Sequence, residues 1–198
     1  MKPDYKKIIQ VLNYIIKKSG DSINYMKALK LLYLADRLHL RRYGRLITGD
    51  TLVAMKNGML GSIAKDIVII NKNLPYVVYN YAEDKLKRDL DKYLISSNFD
   101  DMSNLSETDT ECVDEVINKL GNKDEFELAK LTHDLPEWER HQYTIEKKEK
   151  LVVQVNIDDL FGSTDNSELN KIYSQTEDEL SLSKELFDDS TERTKCFS

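Results

Sequence analysis

The sequence predicts a mainly α fold with a small antiparallel β-sheet, an α+β arrangement in which one central apolar helix is surrounded by other helices. Three observations lead there. Apolar residues recur at the helical i, i+3, i+4 spacing in several windows. Short runs rich in Ile, Val, Thr and Tyr stand between those windows. One window, residues 25–43, is apolar almost all the way round its axis. The 198 residues suit one ordinary domain, or one with an appendage, and a 40% hydrophobic content with 11 tyrosines can supply its core.

The elements follow in order. Residues 3–18 place Tyr5, Ile8, Ile9, Leu12, Ile15 and Ile16 on one helical stripe, with Lys17 and Lys18 in the last turn and Gly20 placed to end it. A second helix runs from about Tyr25 to Tyr43, with Asn24 as N-cap and Gly44 as the C-terminal glycine. It must be packed on most sides, with its arginine-bearing final turns reaching solvent. Ile47–Met55 (ITGDTLVAM) reads as a strand with a turn or bulge near Gly49, Tyr76–Ala82 (YVVYNYA) as another, and Lys92–Ser96 (KYLIS) as a third. Ile63–Ile70 fits helix or strand. Ser106-Glu-Thr-Asp109 is a helix start of the S-x-x-D type, followed by Cys112, Val113, Val116, Ile117 and Leu120, with Gly121 ending the segment. A helix over about Asp124–Thr132 is broken at His133-Asp-Leu-Pro136, Glu137–Gln142 can form a short helix, and Leu151–Val155 a last strand. The domain is therefore expected over residues 1–160, followed by an acidic C-terminal tail, 161–198. That tail is either disordered or a helix around Leu169–Phe187 whose few apolar residues need a partner.

The net charge of −6 conceals an asymmetry. Residues 1–99 carry 18 Lys+Arg against 9 Asp+Glu, a balance of +9, and residues 100–198 carry 11 against 26, a balance of −15. The simplest use of opposite signs is internal, the acidic half lying over the basic one. No apolar run approaches the roughly 20 residues that span a bilayer, and the start, MKPDYKK, lacks a secretory cleavage site, so no membrane association and a cytoplasmic location are expected. Cys112 and Cys196 form no C-x-x-C pair and suit free thiols in a reducing compartment.

Catalytic constellations are thin. His39, His133 and His141 accompany no G-x-S-x-G elbow, and the spacing of His133 and His141 is interrupted by Pro136, so no metal and no cofactor is expected. Gly58-Met-Leu-Gly61-Ser62 lacks the lysine and frame of a phosphate loop and reads as a plain turn. Asp36 interrupts an apolar helix, and a buried carboxylate requires a partner; His39, or a basic or tyrosine side chain from another segment, is the expected one. Asp36, His39, His133 and Trp138 are thus read as polar positions tied into the packing. Arg41, Arg42 and Arg45, joined by Arg37 and Lys56, form the most distinctive charged group and the candidate partner-binding residues. Intramolecular pairing ranks first for them, an acidic protein partner second, and nucleic acid third because of the pI near 5.2.

Leu29–Lys56, LKLLYLADRLHLRRYGRLITGDTLVAMK, resembles the signature segment of the SocA-like antitoxin domain, also called the Panacea domain and found in phage-associated proteins. Residues 105–138, LSETDTECVDEVINKLGNKDEFELAKLTHDLPEW, resemble the family's C-terminal helices, including Thr132-His133 and Trp138 after the Pro136 turn. The family's proline-bearing G-P-V-P-S after the strand is replaced here by Gly58-Met-Leu-Gly-Ser62, which implies a more mobile loop. The resemblance implies a compact, mostly helical domain, no enzymatic activity, and an antitoxin of a toxin–antitoxin system that neutralises a cognate toxin by direct binding. A toxin that attacks nucleotides or RNA tends to have a basic cleft, which the acidic second half could oppose. Some family members hand the toxin to a protease, so a protease or chaperone is a further partner to consider, and a homo-oligomer stays open. The alternative is a phage or prophage regulator, or a protease adaptor, binding a host protein or nucleic acid. The location would be the bacterial cytoplasm, or the host's if phage-encoded.

Overall fold

In the computed structural model, residues 3–89, 91–97 and 100–196 are described. Helix α1 (Tyr5–Lys18) begins where Asp4 accepts the Lys7 amide at 3.0 Å, and its stripe from Ile8 to Ile16 is buried. Strand β1 (Ser22–Asn24) leads into α2 (Tyr25–Tyr43). The Asn24 side chain accepts from the amides of Met26 and Lys27, and Gly44 closes the helix in the left-handed conformation at φ 65°. Every residue from Ala28 to Arg41 is buried. The expectation that the arginine-bearing turns emerge into solvent is corrected: Arg37 and Arg41 are inside.

Strands β2 (Leu52–Met55) and β3 (Gly58–Gly61) form an antiparallel hairpin, with Val53 opposite Leu60. The predicted strand at Ile47–Met55 therefore begins only at Leu52. The reason is polar: Thr48 and Asp50 are buried and occupied by side-chain bonds rather than a ladder. Gly58–Gly61, expected as a mobile turn, is instead a fully buried strand. Its glycines permit this. A Cβ on Gly58, which sits at φ 85°, would collide with the Thr132 hydroxyl, and one on Gly61 would collide with the Asp50 carboxylate. That carboxylate caps the next helix, α3 (Ser62–Val68), accepting the amides of Ile63 at 3.0 Å and Ala64 at 2.8 Å.

Residues Tyr76–Ala82, predicted as strand, belong to helix α4 (Tyr76–Lys85). Within this run only Val78 and Ala82, one helical turn apart, are buried, and they face α1 and α3. Pro75 starts the helix, accepting the amides of Val78 and Tyr79. Packing on one helical face overrides the β-propensity of Tyr and Val. Strands β4 (Lys87–Asp89) and β5 (Leu94–Ser96) follow; β5 pairs with both β1 and β4, making a three-stranded antiparallel sheet ordered β1-β5-β4.

Helix α5 (Glu107–Leu120) starts with a capping box between Ser106 and Asp109, and α6 (Glu125–His133) with one between Asp124 and Glu127. After Pro136, which occupies the first helical position of α7 (Pro136–Glu139), come α8 (Gln142–Glu146) and strand β6 (Val152–Gln154). Strand β6 joins β2 to complete a second antiparallel sheet, β3-β2-β6. The single small sheet of the sequence reading is thus two. A 3-10 turn (Ile157–Phe161), α9 (Ser167–Asn170) and α10 (Glu177–Cys196) run back over α2. Leu160, Leu169, Ile172 and Tyr173 are buried along that return. Helix α2 is enclosed by α1, α5, α6, α10 and β3.

Candidate functional site

The polar residues of α2 fall into an interior group and an edge group. Inside, the Arg37 Nε donates to Glu137 Oε1 at 2.8 Å, and its Nη2 donates to the Gly162 carbonyl at 2.8 Å. Tyr33 donates its hydroxyl to the same Glu137 oxygen. Arg37, Tyr33 and Glu137 are all fully buried. Arg41 is one turn further on. Its Nη1 donates to the carbonyls of Leu160, Phe161 and Gly162, and its Nε to Gln175 Oε1 at 3.1 Å. Both guanidiniums lie over the Tyr173 ring, Arg37 at 4.4 Å from its centre, and Tyr173 donates to the Leu34 carbonyl. Burial, with the charge of Arg37 beside it, pushes Arg41 down to about 10. Burial, with Glu137 adjacent, holds the Tyr33 phenol well above its usual range. This group fastens the chain after β6 to the central helix.

At the C-terminal edge, Asp109 gathers Lys7 at 2.6 Å, Arg45 at 3.0 Å and the Ser106 amide at 2.8 Å. Burial works against its charge, but Lys7 and the Ser106 bonds hold the carboxyl below the ordinary aspartate value. Arg42 pairs with Glu115 at 2.7 Å and approaches Glu111, which also accepts from Tyr43. His39 has Nδ1 2.9 Å from the Arg45 carbonyl and Nε2 3.0 Å from the Thr108 hydroxyl, with Asp109 3.3 Å from Nε2. Burial drives its pKa down to about 4, so the ring is neutral at pH 7. A carbonyl can only accept, which assigns the ring proton to Nδ1 and leaves Nε2 accepting from Thr108. The approach of Asp109 is therefore no ion pair. Nor is the trio a nucleophile relay, which needs the carboxylate and the hydroxyl on opposite ring nitrogens. The Cys112 thiol, buried between helices, is pushed up to about 12 and stays protonated.

Among the described residues Asp36 pairs with neither His39 nor a cation. Its carboxylate accepts from the Thr48 amide at 3.0 Å and the Thr48 hydroxyl at 2.5 Å, and burial lifts its pKa to about 7. The sequence reading missed this partner because Thr48 lies beyond the helix, in a run taken for strand. It also missed Glu137 and Lys30, and it placed Asp109 at the start of a helix without its pairing to Lys7 and Arg45. For Lys30 and Glu137 the signal was a charged residue flanked by large apolar neighbours, Leu29 and Leu31 in one case and Trp138 in the other.

Lys56 and His133 meet elsewhere, at a groove of about 650 Å³ between the start of α2, α6, the β2–β3 turn and the turn before β5. Phe126, Ala129, Lys130 and His133 line it from one face of α6, at helical i+3 and i+4 spacing. His133 stacks on Trp138 with centroids 3.9 Å apart, and Trp138 Nε1 donates to the Met55 carbonyl. Beneath the groove, the fully buried Lys30 donates to the Met59 carbonyl at 2.7 Å. Burial lowers Lys30 to about 7, and burial together with the Lys30 charge lowers His133. Of the five cations singled out in the sequence, then, Arg37 and Arg41 are interior, Arg42 and Arg45 bind acidic residues of α5, and only Lys56 faces this groove.

A family model described as antitoxin SocA-like, Panacea domain, matches residues 29–139, the stretch from the first turns of α2 to the end of α7. The chain belongs to this family. No curated protein and no solved structure gave a match. The matched Panacea stretch contains Arg37, Glu137, Asp109 and the walls of the groove on α6, whereas Gly162 and Tyr173, which complete the arginine cluster, lie outside it. Among the described residues no helix is long and apolar enough to cross a membrane.

Proposed function

We propose that this protein is an antitoxin that binds a cognate toxin directly and neutralises it, without performing chemistry of its own. The observation that carries the reading is membership of the SocA-like antitoxin family across α2–α7. The distribution of charge supports it. The arginines of α2, and Arg45 just beyond it, are consumed by Glu137, Glu115, Asp109 and backbone carbonyls, while Glu177, Asp178, Glu179, Glu185, Asp188 and Asp189 stand exposed on α10. Leu182 and Leu186, 59% and 49% exposed, lie on the same helix. An acidic helix with an apolar ridge opposes a basic toxin cleft, speeds encounter and occludes the working surface.

The test is co-expression with the toxic product of the neighbouring reading frame. Rescue of growth together with a stable co-purifying complex is the expected result, and reversing Glu177, Asp178 and Glu179 to lysine should slow association and weaken rescue. Salt-sensitive nucleic-acid binding without rescue would overturn the reading in favour of a regulator.

A further inference from the structure

We propose that the groove between α2, α6 and the β2–β3 turn is a peptide-binding site that takes an extended acidic segment bearing a large aromatic or aliphatic side chain, contributed by a partner protein. The proposal goes beyond the toxin reading and stands independently of it, since the groove and the acidic face of α10 are separate surfaces of opposite character.

The groove is built from aromatic walls and a cationic rim. Tyr25 and Tyr93 stand on one side with ring centroids 5.8 Å apart, and Phe126, 76% exposed, on the other. Tyr93 is 56% exposed and is held at φ 56°, a backbone region that bulky side chains rarely adopt. Its carbonyl is fixed by the Tyr25 amide at 2.9 Å, so the turn is anchored in the pose that presents this ring. The turn thus displays the Tyr93 ring beside Tyr25 at the mouth of the groove.

The charge of the site is positive. Lys56 from the hairpin and Lys130 from α6 edge the groove, and neither is in an ion pair among the described residues. Behind Gly58 and Ala129 sits the buried Lys30 amine, bonded to the Met59 carbonyl and, among the described residues, beside no carboxylate within ion-pair distance. The one acidic residue of the lining, Glu125, accepts from Asn24. His133 adds a buried Nε2 without a hydrogen-bond partner among the described residues. The exposed charge a ligand can reach is therefore that of the two rim lysines, Lys56 and Lys130. A carboxylate-bearing segment pairs with Lys56 and Lys130 at the rim, and its apolar side chain fills the space lined by Tyr25, Tyr93 and Phe126. Single-stranded nucleic acid also combines negative charge with stacking surfaces, but two rim lysines on a chain of net charge −6 provide few phosphate contacts.

The experiment titrates the purified full chain, without any toxin, against a fluorescein-labelled peptide in which aspartate alternates with phenylalanine, followed by anisotropy at low and moderate salt. Saturable binding that weakens with salt is expected. A peptide with lysine for aspartate, or alanine for phenylalanine, should bind at least about tenfold more weakly, a loss of about 1.4 kcal/mol. Lys56→Glu with Lys130→Glu, and separately Phe126→Ser, should each weaken the aspartate–phenylalanine peptide by about tenfold or more. These side chains lie at the surface, so the variants keep the wild-type circular dichroism and thermal midpoint. Absence of binding to the wild type, equal affinity in the variants, equal affinity for the lysine peptide, or tighter binding of a single-stranded oligonucleotide would each overturn the proposal.

Discussion

Glu137→Ala is the most informative single substitution, because it strips the acceptor from two buried donors at once. In the wild type the carboxylate receives Arg37 Nε at 2.8 Å, Arg37 Nη2 at 3.5 Å and the Tyr33 hydroxyl, all at zero solvent exposure. Arg37 retains the Gly162 carbonyl and the face of the Tyr173 ring, and its Nη1 has no hydrogen-bond partner among the described residues, so no other carboxylate balances the guanidinium. Leaving a buried charge uncompensated costs about 3–5 kcal/mol. For a domain of this length each kcal/mol moves the melting temperature by about 2–4 °C, so a fall on the order of 10 °C is expected. The control replaces the whole group with apolar residues, Arg37→Met, Glu137→Leu and Tyr33→Phe together. That variant should lie within about 1–2 kcal/mol of the wild type, because removing both charges also removes their desolvation cost. Urea denaturation of the single and combined variants at pH 7, cross-checked by calorimetry, measures the coupling. If Glu137→Ala unfolds within about 1 kcal/mol of the wild type, the reasoning about a buried lock between α2 and the C-terminal return is refuted.

Three further outcomes follow from the same chemistry. Asp36 has a folded pKa near 7 against an unfolded value near 3.8, so it holds its proton more tightly when folded; stability present below about pH 4 drains away as the pH rises to 7, by on the order of 4 kcal/mol. Asp36→Asn, which can still bond Thr48, should therefore gain on the wild type between pH 4 and 8, and a pH-independent difference in urea midpoints would contradict this. Lys30 runs the other way: its folded pKa near 7 lies below the usual 10.5, so the wild type becomes more stable as the pH climbs from 7 to 10.5. Lys30→Met should raise the urea midpoint at pH 6 and lose that advantage near pH 10. Gly44→Ala should cost about 1–3 kcal/mol and make α10 sensitive to limited proteolysis, because the residue has φ 65° and an added Cβ would stand 2.5 Å from the Ser183 carbonyl and 2.8 Å from Leu186 Cβ. Unchanged protease resistance would show that α10 is not seated on the end of α2.

The helices that were legible carried their own boundary signals. Asn24 and Gly44 bracket α2, the Ser106–Asp109 box starts α5, Asp124 starts α6, and each signal is satisfied by bonds within a turn of the chain. The periodic stripe of α1 was legible for the same reason. What failed was the segment whose composition and packing disagree. Tyr76–Ala82 carries strand-forming residues but finds its neighbours along a helical face. Gly58–Gly61 carries turn-forming residues but is pressed into a strand because only glycine fits beside Thr132 and Asp50.

For the candidate site the division is sharper. Sequence alone could show that α2 is apolar all round, that its charged residues need partners, and that the chain resembles an antitoxin family, because spacing and order along the chain are local properties. Only the tertiary structure could decide which partners: Thr48 for Asp36, Glu137 for Arg37, three carbonyls near Gly162 for Arg41, and a groove joining Lys56 to His133. Those pairings span up to about 120 residues of chain, as between Arg41 and Gly162. The free energy that selects them is the cost of leaving a buried charge unmet, which has no meaning until folding defines what is buried.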